Sequence, residues 1–504
     1  MKGQAMINIL GNRKVCCDGL TRRDLLQAGG MTAMGLDLAN LMAADQQAGD
    51  SEETTGNLRS TFGKAKHCIV LFLYGSPSQL DTFDPKPESP ADIRGPFGTM
   101  DTALSGVRIS DQLPRLSKLL DRTTLVRSIS HPHPIHGVAY SLTGIGKVDI
   151  PMELNRLDPR HWPSVGSVLE YLDQIDHPDA SLPAMPNYVH LPWDQSSRSH
   201  PHKRAGLLGG FLGQQYAPVV FEFSGQANRP NSYRPNDPFC GIEADCQFSI
   251  TPSGQRHVDL TLDRIDRRKQ LLDQFDDQRR HLESTGAGQS LDRFQEMAFR
   301  VLGSPSVKDA LDLSQESGVT RERYGNHLFG QSTLLARRLV EAGTRLVTVF
   351  WDEFGISCGG WDTHEKAEAR LKDELCPGLD QSLSALLEDL EHRGLLEETV
   401  VLCMGEHGRT PKPERRNGLA DGRGHWSRAY SGIFAGAGIA EGVVVGESDE
   451  NAAWVKERPV SPKDLLKTLY HLLGVDADRM ITDNLGRPLP LVAEGSVVEE
   501  MITT

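Results

Sequence analysis

The stretch HCIVLFLY, residues 67–74, is continuously apolar after its first residue and stops at Gly75. A short apolar run that ends at a glycine is typical of a strand buried on both faces. Such strands belong to parallel sheets, because parallel sheets are covered by helices on both sides. The stretch therefore predicts the first strand of an α/β sheet.

Further apolar runs alternate with helical patterns along the rest of the chain. Strands are predicted at residues 124–129, 186–191, 219–223, 345–350, 399–404 and 430–434. Helices are predicted at residues 137–142, 328–342 and 461–474, and residues 365–393 are predicted to form one long or broken helix. This alternation predicts a mainly parallel central sheet with helices on both faces. Dense charge with apolar residues at three- and four-residue spacing predicts a helical insertion at about 256–301.

The N-terminus carries the pattern of an export signal. Arg22 and Arg23 precede a weakly apolar stretch at residues 28–44, which resembles a twin-arginine signal. An ordinary amphipathic helix is the alternative, since Asp37 interrupts the apolar run. We expect a periplasmic or otherwise exported protein, with the twin-arginine export machinery as a partner.

The predicted domain organisation follows from that signal and from the composition of both ends. Residues 1–44 are predicted to be the signal segment and the polar residues 45–63 a linker. Residues 64–490 are predicted to form the folded domain, including the insertion, and residues 491–504 a C-terminal tail.

Charge and hydropathy exclude several classes of partner. The chain has 54 Lys and Arg against 68 Asp and Glu, which gives a formal net charge of −14. This excess of acid argues against a surface that binds nucleic acid or an anionic membrane. No apolar run approaches the roughly 20 residues of a membrane span, so none is expected after signal removal. The eight cysteines contain no CxxC pair and do not form a disulfide framework.

Polar clusters follow several predicted strands, where ligands of open α/β sheets bind. They are GSPSQLDTFD at 75–84, HPHPIHG at 131–137, GWDTHE at 360–365, GEHGRTP at 405–411 and GRGHW at 422–426. An Asp-rich turn and a solvated His-rich loop are the alternatives for the first two clusters. Asp362 and His364 are two residues apart and can reach one metal from a loop. Mixed carboxylate and imidazole sets favour zinc, with manganese, magnesium or calcium as alternatives.

From residue 66 to about residue 476 the chain resembles the bacterial family known as domain of unknown function 1501. That family is placed in the alkaline phosphatase-like, sulfatase-like superfamily. Besides the clusters at 360–365, 405–411 and 422–426, the supporting strings are GSPSQLDTFDPKP at 75–87, HGVAYSLTG at 136–144, PSVGSVLEYL at 163–172, GFLGQQYAP at 210–218 and PVSPKDLLKTLYHLLG at 459–474. The resemblance implies an alkaline phosphatase-like α/β fold that binds one or two divalent metals.

The resemblance also implies which residues hold the metal. The implied ligands are Asp81, Asp362, His364, Glu406, His407 and His425. Glu406 and His407 resemble the superfamily's Asp-His pair, and His425 resembles its later lone histidine. Asp362 with His364 resembles its Asp-x-x-x-His element at a different spacing. Asp81 lies farther from the strand end than the superfamily's first-loop aspartate.

The implied nucleophile departs from the superfamily pattern. Superfamily enzymes attack a phosphate or sulfate ester with a Ser, Thr or modified Cys at a helix N-terminus. No hydroxyl stands at the matching residues 134–136. Three alternatives follow. Ser78 or Ser130 is the nucleophile, or water on the metal attacks the ester directly, or the site binds its ligand without hydrolysing it.

Two functions remain open from the sequence. The first is an exported metal-dependent hydrolase that acts on a small anionic ester or on a sulfated or phosphorylated polymer. In this hypothesis His133 or His136 is the general acid or base, and Arg409 neutralises a non-bridging oxygen. The alternative is a non-catalytic binding or scaffold protein that retains the same fold.

Overall fold

The computed structural model describes residues 58–133, 136–178, 183, 185–199, 204–229, 236–250, 304–355, 359–416 and 419–502. The chain divides into two units, Met1–Arg59 and Ser60–Thr504, and the elements below belong to the second. The predicted signal at 1–44, most of the linker at 45–63 and the helical insertion at 256–301 lie outside the described residues.

Short and long strands alternate with helices along the second unit. The first strands are β1 (His67–Leu73), β2 (Thr99–Asp101), β3 (Arg108–Ser110), β4 (Thr124–Ile129), β5 (Tyr188–Leu191), β6 (Val219–Ser224), β7 (Gln247–Ile250), β8 (Leu346–Trp351) and β9 (Thr399–Met404). They are followed by β10 (Gly408–Arg409), β11 (Glu414–Arg416), β12 (Leu419–Gly422), β13 (His425–Trp426), β14 (Tyr430–Gly436), β15 (Val443–Val445), β16 (Glu447–Ser448), β17 (Val455–Glu457), β18 (Met480–Thr482) and β19 (Pro488–Pro490). The α-helices are α1 (Val138–Leu142), α2 (Ile150–Glu153), α3 (Val165–Asp176), α4 (Pro305–Leu311), α5 (Gly318–Tyr324), α6 (Leu328–Glu341), α7 (Ala367–Arg370), α8 (Cys376–His392) and α9 (Pro462–Leu472).

The central sheet is mainly parallel, as the sequence predicted. Within the described residues its spatial order is β15-β4-β14-β9-β1-β8-β5-β6-β7. The five strands from β9 to β6 run parallel to one another. Strand β14 is antiparallel to both of its neighbours, and β7 is antiparallel to β6. Each strand predicted from an apolar run has a counterpart in this sheet.

Helices cover both faces of the sheet because alternate side chains of β1 enter two separate cores. Ile69 and Leu71 pack in one core with apolar residues of α6 and α8. Val70 and Phe72 pack in the other core with apolar residues of α3 and α9. A strand with side chains buried on both faces needs this arrangement, which confirms the predicted α/β class.

Of the two forms predicted for residues 365–393, one long helix or a broken one, the structure has the broken helix. Helices α7 and α8 are joined by a π-helical turn at Leu371–Leu375, which ends two residues before Pro377. Proline has no backbone N–H to bond the carbonyl four residues earlier, and this favours a wider turn at that point.

The C-terminal segment belongs to the domain, although the sequence set residues 491–504 apart as a tail. Leu491, Val492, Val498 and Met501 are buried in the core that contains α9. The backbone N–H of Val498 donates to the hydroxyl of Thr468 at 2.9 Å. No helix in the part of the chain that the structure describes combines the length and the apolar character needed to cross a membrane.

Candidate metal centre

Loops from three adjacent strands meet at one edge of the sheet, because the carboxyl ends of parallel strands point the same way. Gly75 follows β1, Glu406 follows β9, and Asp362 lies in the loop after β8. His136 lies between β4 and α1, and His425 begins β13. Residues from five parts of the chain are thereby brought to one place.

Gly75 allows the loop after β1 to touch the loop that carries Asp362. Its φ is 87°, and a Cβ built there would lie 2.2 Å from the backbone nitrogen of Asp362. Only glycine fits this conformation and this close approach. The neighbouring N–H of Trp361 donates to the carbonyl of Tyr74 at 2.9 Å, which fixes the two loops against each other.

Ser76 joins the loops after β1 and β9. Its hydroxyl donates to Glu406 Oε2 at 3.1 Å and accepts the backbone N–H of His407 at 3.0 Å. Ser76 has a φ of 67°, which is unusual for a residue with a Cβ. Such a conformation persists only where the surrounding contacts hold it, and these two hydrogen bonds do so.

Asp362, His364 and His425 present three possible ligand atoms in a nearly equilateral triangle. Asp362 Oδ1 lies 3.1 Å from His364 Nε2 and 3.2 Å from His425 Nε2. The two Nε2 atoms are 3.1 Å apart. Ligands on a tetrahedral zinc ion with bonds of about 2.0 Å lie about 3.3 Å from one another. The triangle therefore has the size of one face of such a site, and the residues fit a divalent ion.

A second group of possible ligands shares His425 with this triangle. Ligand nitrogens of His136, His407 and His425 all lie within 4.8 Å of one another. His407 is buried, and its Nδ1 bonds the carbonyl of Gly408 at 2.8 Å, so Nδ1 carries the proton. Its Nε2 then holds a lone pair, which has no hydrogen-bond partner among the described residues. This orphaned lone pair also fits a metal ligand.

Glu406 orients His136. Glu406 Oε1 accepts His136 Nδ1–H at 2.7 Å and the backbone N–H of Gly75 at 2.9 Å. His136 Nε2 then faces Asp362 Oδ2 at 3.5 Å. A carboxylate in this position fixes the tautomer and the orientation of a histidine that binds metal. The sequence predicted Glu406 as a ligand, whereas its contacts favour a supporting role behind His136.

The charges of the cluster set its protonation. Burial raises the pKa of Asp362, but Arg409 and His136 outweigh burial and hold that pKa well below its usual range. Burial, reinforced by the neighbouring imidazoles, lowers the pKa of His407 well below its usual value. Burial also lowers the pKa of His425 to about 4. The carboxylate is therefore ionised and these imidazoles are neutral, as metal binding requires.

His136 differs from the other imidazoles. Burial lowers its pKa, but the charges and hydrogen bonds of Asp362 and Glu406 outweigh burial and raise the pKa to about 9. Without a metal, His136 is a cation held between two carboxylates at neutral pH. A metal ion that takes its Nε2 must displace this proton.

Arg409 is closed off from solvent. Its side chain is 0 % exposed and its guanidinium contacts Asp362 Oδ1. It also donates to the carbonyls of Ser76, Trp361 and Arg423 at 3.4, 3.1 and 3.1 Å. With its donors turned to protein oxygens, Arg409 stabilises Asp362, whereas the sequence assigned it to an ester oxygen.

Three other predicted site residues lie apart from the cluster. Asp81 is buried, and its Oδ2 accepts Arg423 Nε–H at 2.8 Å. Ser78 is buried, and its hydroxyl has no hydrogen-bond partner among the described residues. The ring of His133 packs edge-on against Tyr140, with centroids 4.7 Å apart. Within the described residues, no contact joins these three to Asp362.

Sequence reasoning did not single out Ser76, Tyr74 or His131. Tyr74 stacks on His136, with ring centroids 5.0 Å apart and an interplanar angle of 17°. His131 Nε2 bonds the carbonyl of Glu406 at 2.7 Å, and its Nδ1 accepts the backbone N–H of His133 at 3.2 Å. Both nitrogens of His131 are thus used by the backbone. The small residues directly after β1 were the one local signal for Ser76.

Comparisons with solved structures show similarity at low sequence identity. A sulfatase from Pseudoalteromonas sp. is 13% identical, with 85% of this chain and 72% of that chain covered and a TM-score of 0.35. The lipoteichoic acid synthase LtaP from Listeria monocytogenes is 10% identical, with 88% and 78% covered and a TM-score of 0.36. A phosphonate monoester hydrolase from Silicibacter pomeroyi is 12% identical, with 86% and 75% covered and a TM-score of 0.31.

The family comparison covers nearly the whole described domain. No curated protein matches the chain. The family described as "Protein of unknown function (DUF1501)" matches residues 65–502. This span runs from two residues before β1 to Ile502, a buried residue of the C-terminal segment. The chain therefore belongs to the DUF1501 family.

Proposed function

We propose that this protein is a metal-dependent hydrolase of phosphate or sulfate esters. The triangle of Asp362 Oδ1, His364 Nε2 and His425 Nε2 carries the proposal, because its edges of 3.1 to 3.2 Å match one face of a tetrahedral site. Zinc is favoured because nitrogen donors dominate the set. When bound, the ion supplies Lewis-acid activation of an ester oxygen and of the attacking group.

The number of ions decides the task of His136. His425 Nε2 offers one lone pair and serves one ion only. Asp362 Oδ2, His136 and His407 provide donors for a second ion. With one ion, His136 would not be a ligand and could pass a proton to a leaving group. With two ions, His136 would be a ligand and its Nε2 would have to be deprotonated.

Arg409 and Glu406 prepare the site. Arg409 keeps Asp362 ionised, and Glu406 holds the ring of His136 through its Nδ1–H. Both residues are buried, so their contacts are protected from water and from screening by salt. Arg409 and Glu406 therefore hold ligand atoms from distant parts of the chain in one geometry before a metal ion binds.

Zinc titration of the purified chain, together with hydrolysis of aryl phosphates and aryl sulfates, tests the proposal. We expect one or two equivalents of zinc and metal-dependent turnover. His364→Ala removes one corner of the triangle and should abolish both. His392→Ala is the matched control, because His392 lies at the end of α8 and bonds only the carbonyl of Glu388 among the described residues. Uptake well below one equivalent would reject the site, whereas zinc binding without turnover would favour the non-catalytic alternative.

We further propose export through the twin-arginine route. The support is the Arg22-Arg23 pair ahead of the weakly apolar stretch at 28–44. Replacement of both arginines by lysine should retain the protein in the cytoplasmic fraction. An unchanged amount in the periplasmic fraction would contradict this route.

A further inference from the structure

We infer that Trp426, Arg428 and Trp454 form an aromatic surface beside the metal centre, which binds the sugar rings of an anionic polysaccharide. This surface deepens the proposed function, on which it rests only for the ester that the saccharide carries. The binding of the saccharide itself is a separate claim. Each can therefore fail without the other.

Trp454 is an exposed indole in the loop between β16 and β17. It is 54% exposed, and within residues 359–416 and 419–479 it is the only large hydrophobic residue in contact with solvent to this extent. A protein interface of standard size buries about 800 Å² on each partner, far more than one side chain offers. The electron-rich face of a single indole instead suits the C–H groups of one sugar ring.

Arg428 adds an open positive charge to this indole. Its guanidinium carbon lies 5.7 Å from the ring centroid of Trp454. Arg428 is exposed, and among the described residues its side chain has no ion pair and no hydrogen bond. A guanidinium without an acidic partner can pair with a sulfate, phosphate or carboxylate group of a ligand. The surface therefore suits a ring that carries an anionic substituent.

Trp426 and the backbone hold Trp454 in place. The two indoles meet edge to face, with ring centroids 5.8 Å apart and an interplanar angle of 79°. Trp426 Nε1–H donates to the carbonyl of Ala453, the residue before Trp454. The backbone N–H of Asp449 donates to the carbonyl of Trp454 at 2.8 Å and closes the loop. A surface that is ordered before binding loses little conformational entropy when a ligand binds.

Trp426 also places the aromatic surface next to the metal ligands. It directly follows His425 in β13, which pairs with β10. Alternate side chains of a strand point to opposite faces. His425 faces Asp362, so Trp426 faces the other side of the strand, where it meets Trp454. The metal centre and the aromatic surface therefore lie on the two sides of one short strand.

Gln79 ties the loop of Trp454 to the metal centre by a second route. Its Nε2 donates to the carbonyls of Arg409 and Ala452, at 2.9 Å each, and its Oε1 accepts the backbone N–H of Arg409 at 2.9 Å. Gln79 and Ala452 are both buried. Arg409 in turn contacts Asp362 through its guanidinium. A ligand bound on Trp454 is thus held in a fixed position relative to the metal ligands.

This arrangement sets the size and the class of the ligand. A small ester at the metal centre has β13 between itself and Trp454. A saccharide chain reaches both places, with one ring on Trp454 and the ester of another ring at the metal centre. The net charge of −14 disfavours a ligand that is held by charge alone, such as a nucleic acid. Ring contacts must therefore supply most of the binding, which favours a sulfated or phosphorylated polysaccharide.

Calorimetric titration of the full chain with three polymers tests the aromatic surface. Dextran sulfate carries sugar rings and negative charge, dextran carries the rings alone, and polyphosphate carries the charge alone. We expect dextran sulfate to bind more tightly than either of the other two. The zinc content of each variant is measured alongside and should not change, because none of the substituted residues is a metal ligand.

The test variants are Trp454→Ala, Trp454→Phe and Arg428→Gln. Phe62→Ala is the matched control for the tryptophan, because Phe62 is 49% exposed and its ring packs edge-on against His471 of α9. Arg115→Gln is the control for the arginine, because Arg115 is also exposed but lies next to the 3₁₀ turn at Leu116–Lys118.

We expect Trp454→Ala to weaken dextran sulfate binding about tenfold, because the stacking contact and its buried area are lost. Trp454→Phe keeps a flat ring and should restore most of that affinity. Arg428→Gln should weaken binding about twofold to fivefold, as for an exposed charge pair, and less at high salt. Arg428 is exposed, so this variant still tests the surface if Trp454→Ala does not fold.

The outcomes separate the aromatic surface from the catalytic proposal. Wild-type affinity in Trp454→Ala, an equal loss in either control, or no binding of dextran sulfate by the wild type would overturn the surface. Polyphosphate binding that Trp454→Ala weakens equally would show a site for polyanions and overturn the saccharide. Hydrolysis of an aryl sulfate should keep its KM in Trp454→Ala, and a raised KM would contradict the separation by β13. Binding of dextran sulfate that depends on Trp454, without hydrolysis of any ester, would keep the surface and reject the hydrolase.

Discussion

Asp81 and Asp362 are both buried carboxylates in loops after parallel strands, yet their surroundings differ. Each pairs with a buried arginine, Arg423 for Asp81 and Arg409 for Asp362. Asp362 also has three imidazoles within 3.5 Å of its oxygens. Arg423 bonds backbone carbonyls besides Asp81. A buried Asp-Arg pair is thus a structural element, and it becomes a candidate metal site only where imidazole lone pairs converge on it.

His131 and His407 differ in the same way, one supporting the structure and the other offering a metal ligand. His131 has both ring nitrogens engaged with backbone groups, so it supports the loop after β9. His407 uses Nδ1 in the same way but leaves Nε2 without a partner in the described residues. The difference lies in one lone pair, which burial alone does not reveal.

The largest expected effect separates the two aspartates. Asp362→Asn should lower zinc affinity by at least about a hundredfold, because it removes the charged oxygen from the triangle. Asp81→Asn should leave zinc affinity unchanged. Both variants leave a buried arginine unpaired and should lower the free energy of unfolding by about 3–5 kcal/mol. Calorimetric zinc titration measures the affinity, and urea unfolding measures the free energy of unfolding. A loss of zinc binding in Asp81→Asn would show that Asp81 also belongs to the metal site.

An intermediate effect is expected at Glu406. Glu406→Gln should weaken zinc binding about tenfold to a hundredfold, as expected when the partner of a ligating histidine is lost. Glu153→Gln is the control, since Glu153 is a buried carboxylate that bonds an arginine and not an imidazole. A loss as large as in Asp362→Asn would show that Glu406 is itself a ligand. An unchanged affinity would show that its contact with His136 does not matter for the metal.

The smallest expected effect concerns a buried carboxylate whose Oδ2 is held by neutral donors. Asp352 Oδ2 accepts Trp193 Nε1–H at 2.8 Å and the backbone N–H of Ser196 at 2.7 Å. Burial, with a contribution from Glu353, raises the pKa of Asp352 to about 7. The folded state therefore holds a proton that the unfolded chain releases near pH 4.

Stability from this proton is present below about pH 4 and is lost as the pH rises to about 7. Between pH 6 and pH 8 the free energy of unfolding should fall by about 1 kcal/mol through this group. Asp352→Asn does not titrate and should remove that part of the change. Urea unfolding at the two pH values measures it, and an identical change in the variant would assign the pH dependence to other groups.

Much of the fold could be predicted because its signals are local. Strands β4 and β9 have the predicted bounds, since each is a short apolar run with clear ends. The π turn before α8 and the burial of Leu491, Val492, Val498 and Met501 were not predicted, because both depend on how the segment packs. The export signal and the identity of the metal stay predictions.

By itself, the sequence determined the α/β class and the loops that meet at the carboxyl edge of the sheet, because hydrophobic periodicity is readable from neighbouring residues. Only the tertiary structure decided which polar residues in those loops share a site. His136 and Glu406 are 270 residues apart, and Asp81 and Arg423 are 342 apart. No periodic pattern in the sequence relates residues that are so far apart. Whether a buried oxygen or nitrogen meets a cation, a donor or another lone pair is settled only by which groups the fold places within about 3 Å.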